Sequence, residues 1–320
     1  MLLRDFFQKA IDAGISHDPR GREAVLRDLA ERKKEYDDLK PSEKDVFDLA
    51  SLDNPYADSR ILHGNGGEEI GSILAGIDIE VGEVLLADRL RTKGVRIDLI
   101  VSHHPEGTAF ANLYSVMHMQ SDILGRFGVP INIAEDLMDK RVREVERRLM
   151  PANHTRAVDA ARLLDIPFVC LHTPGDNMVA SFLQKTFDAQ KPATLGDVTD
   201  LLRAIPEYRQ SAINGAGPKI LIGSKNRQAG KIFVDMTGGT EGPREIFSSL
   251  TTAGVNTIVA MHLSEDHRKE AEKHHLNVVI AGHISSDSLG LNLLFDAVLP
   301  PSGVAVLACS GFLRTTRQAP

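Results

Sequence analysis

Tryptophan is absent from this 320-residue chain, and cysteine occurs only twice, as Cys170 and Cys309. Two cysteines in apolar, strand-like runs exclude a disulfide framework and predict buried free thiols in a reducing compartment. No apolar run approaches the length of a membrane span, and the first seven residues, Met-Leu-Leu-Arg-Asp-Phe-Phe, lack the apolar core of a signal peptide. We therefore expect a soluble cytoplasmic protein with no membrane partner.

Basic residues are too few to favour nucleic acid as the main partner. The chain has 37 Lys and Arg against 44 Asp and Glu, a net charge of −7, whereas binding to a phosphate backbone needs a basic face. The densest basic segment, residues 141–148, is interleaved with Glu144 and Glu146 and is typical of a solvated helix. The sequence also lacks a Gly-x-Ser-x-Gly elbow, and neither cysteine has an exposed electropositive setting, which disfavours nucleophilic catalysis by a side chain.

What the sequence does contain is an alternation of strand-like and helical segments. Apolar residues make up 42% of the chain, enough for one large or two medium lobes. Residues 1–50 are predicted to form charged helices and residues 52–70 a loop. Strands are predicted at residues 72–77, 98–102, 131–134, 168–172, 219–222, 231–236, 257–261, 278–281 and 304–309, with helices between most of them. This pattern predicts an α/β fold with largely parallel strands covered on both faces.

The most informative motif is the pair His103-His104, which follows the apolar run Leu-Ile-Val and precedes Pro105. Strand ends are where open α/β sheets place ligands and catalytic groups. Neighbouring strand residues point to opposite faces, so two adjacent histidines serve one centre only if the chain turns there, or if two metal ions lie side by side. The alternative is that one histidine caps a turn and the other lies in solvent.

Two further strand ends carry histidine and carboxylate groups. His283 follows a buried strand, and Asp287, four residues later, falls on the same face of the next helix. The run Cys-Leu-His-Thr-Pro-Gly-Asp ends in Asp176, which can reach back toward its strand end. Each group has a structural alternative. The helix dipole alone favours an aspartate in a first turn, and Asp176 can belong to a Pro-Gly turn that caps the next helix.

Three separate strand ends thus supply imidazole and carboxylate groups: His103, His104, Asp176, His283 and Asp287. Such mixed ligand sets suit zinc, iron or manganese. Three histidines and two aspartates exceed what one tetrahedral zinc ion needs. They fit two ions with a bridging carboxylate, an arrangement that activates a water molecule for a displacement. The sequence therefore predicts a site for two divalent metal ions.

Other polar residues are weaker candidates. His262 and Glu265 follow the strand predicted at residues 257–261, and His63 lies beside a glycine-rich run, so these three are the candidate acid–base residues. The run Asp-Met-Thr-Gly-Gly-Thr-Glu-Gly at residues 235–242 either cradles phosphate on its backbone amides or forms a plain turn. It matches neither the P-loop nor the dinucleotide fingerprint, so no organic cofactor is assigned.

Three segments resemble those of one known family: Ala75-Gly-Ile-Asp78, Asp-Leu-Ile-Val-Ser-His-His-Pro at residues 98–105, and Gly-His-Ile-Ser-Ser-Asp at residues 282–287. The family is that of the GTP cyclohydrolase I type 2 homologues, also called NGG-interacting-factor-three-like (Nif3-like) proteins. The resemblance covers residues 70–310 and implies that the five histidines and aspartates above ligate a dinuclear metal centre. This sequence departs from the family in two places. Asp287 stands where the family usually has glutamate, and residues 54–60 occupy the place of its Asp-Asn-x-Gly-Leu-Gln stretch.

The resemblance also implies two α/β lobes with the metal pair in the cleft between them, and a toroidal homohexamer. We accordingly predict a helical extension at residues 1–70 and a first lobe at residues 71–190, completed by residues 290–320. A second lobe at residues 191–289 ends in the Gly-His-x-x-x-Asp motif, and Lys191-Pro192 is the best candidate for the boundary.

The expected function is hydrolysis of a nucleotide or another phosphorylated small molecule by a metal-activated water. GTP cyclohydrolase activity as such rests on the family name alone. The alternative from another class is a hexameric metal-binding scaffold or regulatory interaction protein without turnover. A third interpretation is a metal-free α/β binding protein in which every histidine is structural.

Overall fold

The strands form two sheets in the computed structural model, which describes residues 1–301 and 303–317. The first sheet contains β1 (Ser59–His63), β2 (Ser72–Gly76), β3 (Leu99–Ser102), β4 (Phe168–Leu171) and, from the end of the chain, β9 (Ala305–Cys309). Their order is β1-β4-β3-β2-β9; β1 is antiparallel to β4, and the other neighbours are parallel.

The second sheet contains β5 (Lys219–Ile222), β6 (Ile232–Asp235), β7 (Thr257–Ala260) and β8 (Asn277–Ile280). Its order is β5-β8-β7-β6, in which β5 is antiparallel to β8 and the remaining pairs are parallel. The predicted fold class, α/β with two mostly parallel sheets, is confirmed.

Helices precede, connect and cover these strands. Before β1 lie α1 (Leu3–Ser16), α2 (Arg22–Asp38), α3 (Pro41–Lys44) and a 3₁₀ turn (Leu49–Leu52). Between β2 and β5 lie α4 (Val81–Thr92), α5 (Gly107–Ala111), α6 (Leu113–Val116), α7 (Met119–Phe127), α8 (Ile131–Leu149), α9 (Arg156–Leu163), α10 (Thr173–Gln190), α11 (Leu195–Ala204) and α12 (Pro206–Ile213). After β6 come α13 (Ile246–Thr252), α14 (Glu265–Lys273) and α15 (His283–Val298).

Each sheet is covered on both faces, as a parallel sheet requires. In the first sheet, α1 and α15 pack on one face through buried side chains such as Phe6 and Phe295, and α4 and α9 pack on the other through Val84 and Ala161. In the second sheet, α10 and α11 cover one face and α7, α8, α13 and α14 the other. The strands are consequently short apolar segments, and the polar groups concentrate at their ends.

The crossing of α10 and α15 determines how closely the two helices that begin at the strand ends approach each other. Glycines meet there: a Cβ atom on Gly290 would lie 2.5 Å from the carbonyl oxygen of Gly175. A Cβ atom on Gly175 would in turn lie 3.2 Å from the ring of His103. Only glycine allows this backbone contact, and it brings the first turn of α10 next to the first turns of α15.

Three predictions about local structure are wrong. Residues 131–134 begin α8 instead of forming a strand, and residues 113–127 form two helices, α6 and α7, instead of one. Residues 59–63, predicted as loop within a helical extension, form the strand β1 at the edge of the first sheet. The domain boundaries at residues 70 and 190 stay predictions, and residues 318–320 of the first lobe lie outside the described chain.

Both cysteines are free, with Cys170 buried and Cys309, predicted to be buried, only partly so. Among the described residues, no helix combines the length and the apolarity needed to cross a bilayer. The cytoplasmic location stays a prediction.

Candidate metal centre

The carboxyl ends of both sheets bring the predicted ligands to one place. His103 and His104 follow β3, and their backbone N–H groups donate to Gly76 and Ile77 oxygens at 3.0 and 2.9 Å, which extends the pairing with β2. Asp176 lies in the first turn of α10, after β4, while His283 and Asp287 lie in the first two turns of α15, after β8. The structure therefore places all five predicted ligands in one cluster.

Three of these side chains form a buried group around one carboxylate oxygen of Asp287. The Nε2 atom of His103 lies 3.3 Å from Oδ1 of Asp176 and 3.4 Å from Oδ1 of Asp287. His103 and Asp287 are completely inaccessible to solvent, and Asp176 is 4% exposed. The three ligand atoms lie close enough to one another to hold a single metal ion.

The other carboxylate oxygen of Asp287 faces a second group. Its Oδ2 atom lies 3.5 Å from Nε2 of His104 and 3.7 Å from Nε2 of His283. The side chains of His104 and His283 are partly exposed, so this group opens toward solvent. Adjacent histidines from one strand end thus contribute to two neighbouring groups that share Asp287.

A sixth residue, His172, also belongs to the cluster and was missed as a site residue. It forms a possible metal-binding group with His103 and His104, and its Nε2 atom lies 3.7 Å from Oδ2 of Asp176. The spacing carried the information, because His172 and Asp176 are four residues apart at a helix start. The sequence prediction ended a strand at His172 and began the helix six residues later, whereas α10 begins directly at Thr173.

The donor atoms of the cluster lack other partners, which fits a metal ion. In the described chain no hydrogen bond reaches Nε2 of His103, Oδ1 of Asp176 or either carboxylate oxygen of Asp287, although all four atoms are buried. Leaving a buried charged oxygen unpaired is costly. Nitrogen and oxygen donors of this kind are the ligands that zinc, iron and manganese accept. The cluster can therefore hold a metal ion.

Hydrogen bonds at the opposite ring nitrogens orient three of the histidines. The Nδ1 atom of His103 lies 3.2 Å from the carbonyl oxygen of Leu171, that of His104 lies 2.7 Å from Asp78, and that of His172 lies 2.8 Å from Asp58. Because these acceptors favour a proton on Nδ1, each Nε2 lone pair is left for the cluster. This pattern is the usual support of metal-bound histidines.

Sequence reasoning missed both supporting aspartates. Asp78 ends the Ala-Gly-Ile-Asp segment next to β2, a strand adjacent to β3, so its position could have been inferred from the parallel pairing. Asp58 is fully buried directly before β1, where it also accepts a hydrogen bond from the Thr173 hydroxyl at 2.6 Å. Asp58 lies within residues 54–60, which occupy the place of a family motif and were predicted to be a loop. No local sequence pattern indicated that this aspartate supports the site.

The mutual attraction of these groups shifts their pKa values. Burial lowers the pKa of His103, but the carboxylates of Asp287 and Asp176 outweigh burial and raise it to about 10. Burial raises the pKa of Asp287, but His103, His104 and His283 more than offset this and hold it well below its ordinary value. The pKa of His172 is likewise raised against its burial by Asp176 and Asp58. The metal-free cluster is thus a set of coupled imidazolium and carboxylate charges.

The three predicted acid–base residues end up in different places. The ring centroid of His262 lies 4.8 Å from that of His283, and His262 lines the same cavity as the cluster. His63, in contrast, lies at the far end of β1, where it pairs with Phe168 at the start of β4 and its ring lies 3.7 Å from Asp165. The amino end of a parallel strand is the opposite edge of the sheet, so His63 lies away from the cluster, and its catalytic role stays a prediction.

Glu265 is also not beside the cluster. Its exposed carboxylate accepts two hydrogen bonds from Arg268, both 2.9 Å long, one turn along α14, and it does not line the cavity of the cluster. Glu265 begins α14, and its role as an acid–base residue stays a prediction.

The cavity beside the cluster has a volume of about 230 Å³. Residues that follow strands of both sheets line it, among them His104, His172 and His283 of the cluster and the neighbouring His262. A glycine-rich loop after β6, residues 235–242, forms another wall. The site therefore combines a candidate metal cluster with space for a small molecule.

A solved structure with the same arrangement of elements is that of a NIF3 superfamily protein from Sphaerobacter thermophilus. It superposes with a TM-score of 0.70 at 28% sequence identity, over 80% of this chain and 92% of that chain. This chain is thus similar in fold to a NIF3 superfamily protein. Reduced HcgD from Methanocaldococcus jannaschii is more distant, with a TM-score of 0.45 and 13% identity over 83% of this chain and 96% of that chain. No protein-family model and no curated protein matches the sequence.

The predicted resemblance to Nif3-like proteins is thereby confirmed, whereas cyclohydrolase activity and the hexamer stay predictions. In this chain the Asp287 side chain contacts both groups of the cluster. Its two oxygens lie 3.4 Å from Nε2 of His103 and 3.5 Å from Nε2 of His104. Asp287 therefore lies between the two groups of the cluster.

Proposed function

We propose that this protein is a metal-dependent hydrolase that binds two divalent ions, zinc, iron or manganese, bridged by Asp287. The observation that carries the proposal is the division of the Asp287 carboxylate. Its Oδ1 atom faces His103 and its Oδ2 atom faces His104 and His283, yet neither oxygen has a hydrogen-bond partner within the described residues. A carboxylate held in this way could contribute one oxygen to each of two cations. Bound ions would lower the pKa of a coordinated water and stabilise the oxygens of a displacement.

The side chains of the cluster differ in their exposure, and this suggests different roles. His103 and Asp176 are buried and would hold one ion away from solvent, whereas His104 and His283 are partly exposed and leave the other side of the cluster open to a ligand. Asp78 fixes the ring of His104, so its Nε2 atom keeps one direction. Reaction would thus take place on the His104 and His283 side, in the cavity.

His262 is the candidate for proton transfer. Its ring is half exposed in the cavity, and Nδ1 lies 3.7 Å from Oε1 of Glu241. Glu241 is itself held by the backbone N–H of Ser264 at 2.8 Å. A proton on Nδ1 that faces Glu241 leaves Nε2 free to accept a proton from water or to donate one to a leaving group.

Elemental analysis of protein purified without chelators tests the metal centre. We expect about two equivalents of metal per chain, the number that a bridged pair requires, and a loss of nearly all of it in the double variant His103→Ala/His104→Ala. His118→Ala is the matched control, because His118 is exposed and outside the cluster. Unchanged metal content in the double variant, with the fold intact by circular dichroism, would rule the centre out.

A hydrolase panel tests turnover separately. GTP, phosphodiesters and phosphomonoesters are offered with manganese, zinc and iron to wild type and to His262→Ala. We expect metal-dependent hydrolysis that falls by about 10²- to 10⁴-fold in His262→Ala, the contribution of one acid–base residue. Metal content should stay unchanged in that variant. A metal-loaded protein that is silent across the panel would instead favour the non-catalytic scaffold.

A further inference from the structure

The glycine-rich loop after β6 has a row of backbone donors without acceptors. Within the described chain, none of the backbone N–H groups of residues 237–242 donates a hydrogen bond. Five of these six residues line the cavity that contains the metal cluster: Thr237, Gly239, Thr240, Glu241 and Gly242. Backbone N–H groups that are not used internally must find an acceptor in solvent or in a ligand.

The carbonyl groups of the same loop are bound on the other side. The Nε2 atom of Gln120 in α7 donates to the oxygens of Gly238 at 2.6 Å and Thr240 at 2.8 Å. The chain has no cis peptide bonds, and in a trans peptide the carbonyl group and the next N–H group point in opposite directions. The N–H groups of Gly239 and Glu241 therefore point away from Gln120.

A second side chain, that of Arg141, holds a carbonyl group at the end of the loop. The Nε atom of Arg141 donates to the carbonyl oxygen of Glu241 at 2.9 Å, so the N–H group of Gly242 points away from α8. Neither Gln120 nor Arg141 lines the cavity of the cluster, whereas Gly239, Glu241 and Gly242 do. The N–H groups of Gly239, Glu241 and Gly242 thus point away from the side chains that hold the carbonyl groups of the loop.

Two glycines allow the loop to pack this closely. Gly238 and Gly239 have φ angles of +96° and +86°. A Cβ atom on Gly238 would lie 2.7 Å from Cγ of Gln120, and one on Gly239 would lie 3.0 Å from Cγ of Met117. Consecutive N–H groups in such a left-handed turn form the concave surface that binds anions in proteins.

We propose that residues 239–242 of this loop bind an oxyanion group of the ligand, such as a phosphate ester, while its reacting end contacts the metal cluster. The inference deepens the proposed function and rests on it for the reacting end alone. The cavity lining contains no lysine or arginine among the described residues, so backbone donors are what the protein offers an anion beyond the histidines. Asp235 and Glu241, both in the loop, line the same cavity, and their carboxylates repel an anion.

Titration of the zinc-loaded protein with inorganic phosphate, followed by ¹⁵N–¹H correlation spectra, tests the site. The expected result is a saturable shift of the amide signals of Gly239, Glu241 and Gly242, with chloride at equal ionic strength as the blank. If phosphate binds and these amides do not move, the anion contacts the metal ions alone and the loop proposal is overturned. Absence of phosphate binding also overturns it.

A pair of variants tests whether the hydrogen bonds from Gln120 to the loop contribute to phosphate binding. Gln120→Met removes both hydrogen bonds to the loop and should weaken phosphate binding by about tenfold, with metal content unchanged. Gln184→Met is the matched control, because Gln184 bonds to the backbone of Ile232 and Val234 and leaves the loop alone. Equal affinity in the two variants would contradict the proposal. Should Gln120→Met fail to fold, the amide shifts of the wild type still decide the question.

This test is independent of the metal proposal. A protein that takes up no metal would contradict the dinuclear centre, yet phosphate would still shift the three loop amides. A protein that holds two ions and binds phosphate without these shifts would keep the metal proposal and lose the anion site.

Discussion

At the level of single residues, protons and metal ions compete for the same atoms. Burial lowers the pKa of His103, but the carboxylates of Asp287 and Asp176 outweigh it and raise this pKa to about 10, above its ordinary value of 6.5. A raised pKa of a basic group means that its proton stabilises the metal-free fold below pH 6.5 and that this contribution is lost as the pH rises through about 10. A metal ion on Nε2 must displace that proton.

We therefore expect zinc to bind more tightly at about pH 8 than at about pH 6 and to release at least one proton per chain. Calorimetric titration in buffers with different ionisation enthalpies measures the released protons directly. His118→Ala, which alters an exposed histidine, should behave as the wild type does. Binding without proton release would show that His103 is not a ligand.

The carboxylate of Asp58 acts on the cluster through His172. It is fully buried and accepts hydrogen bonds from Nδ1 of His172 at 2.8 Å and from Thr173 at 2.6 Å. We expect Asp58→Asn to weaken metal binding by about 10- to 100-fold, as loss of a supporting carboxylate does at metal sites. Competition with a chelator measures the affinity. Asp165→Asn is the control, since Asp165 is exposed; equal affinities would mean that His172 needs no orientation.

At the level of elements, the contact between α10 and α15 controls the distance between two carboxylates. Gly290→Ala places a Cβ atom 2.5 Å from the oxygen of Gly175, so the helices must separate. We expect a loss of about 1–3 kcal/mol in the free energy of unfolding, measured with urea, and weaker metal binding because Asp176 and Asp287 move apart.

A second Gly→Ala substitution in a helix, at a glycine with open space around it, separates the effect of the close contact from the general effect of replacing a helical glycine. Gly82 in α4 has no atom within 4 Å of its would-be Cβ, so Gly82→Ala should leave metal binding unchanged and be neutral or stabilising by up to about 1 kcal/mol. If both variants behave alike, the close approach of α10 and α15 does not position the ligands.

The elements also show what the sequence can and cannot predict. The sequence predicted β3, β8 and the cluster after them, because each strand is an apolar run followed by a histidine. A buried parallel strand ends in polar residues at the functional edge of the sheet. The strand predicted at residues 131–134 was wrong, because Ile-Asn-Ile-Ala alternates like a strand although it begins a helix after Pro130. Edge strand β1 has no such run, so neither it nor Asp58 could be recognised before the pairing with β4 was known.

At the level of the whole molecule, the predicted ligands can be supplied by a single chain. His103, His104, Asp176, His283 and Asp287 form the candidate ligand set without a partner subunit. Metal binding should therefore not depend on assembly. The homohexamer implied by the family resemblance is a separate prediction.

Sedimentation velocity over a range of concentrations tests that assembly. We expect a species of six times the 35.0 kDa of one chain, present at micromolar protein, with fewer subunits only on strong dilution. Metal content per chain, measured on the separated species, should be equal in the hexamer and in its dissociated form, because each site is complete within one chain. A single-chain mass at every concentration would rule out the ring. Metal confined to the hexamer would show that a neighbouring subunit contributes to the centre.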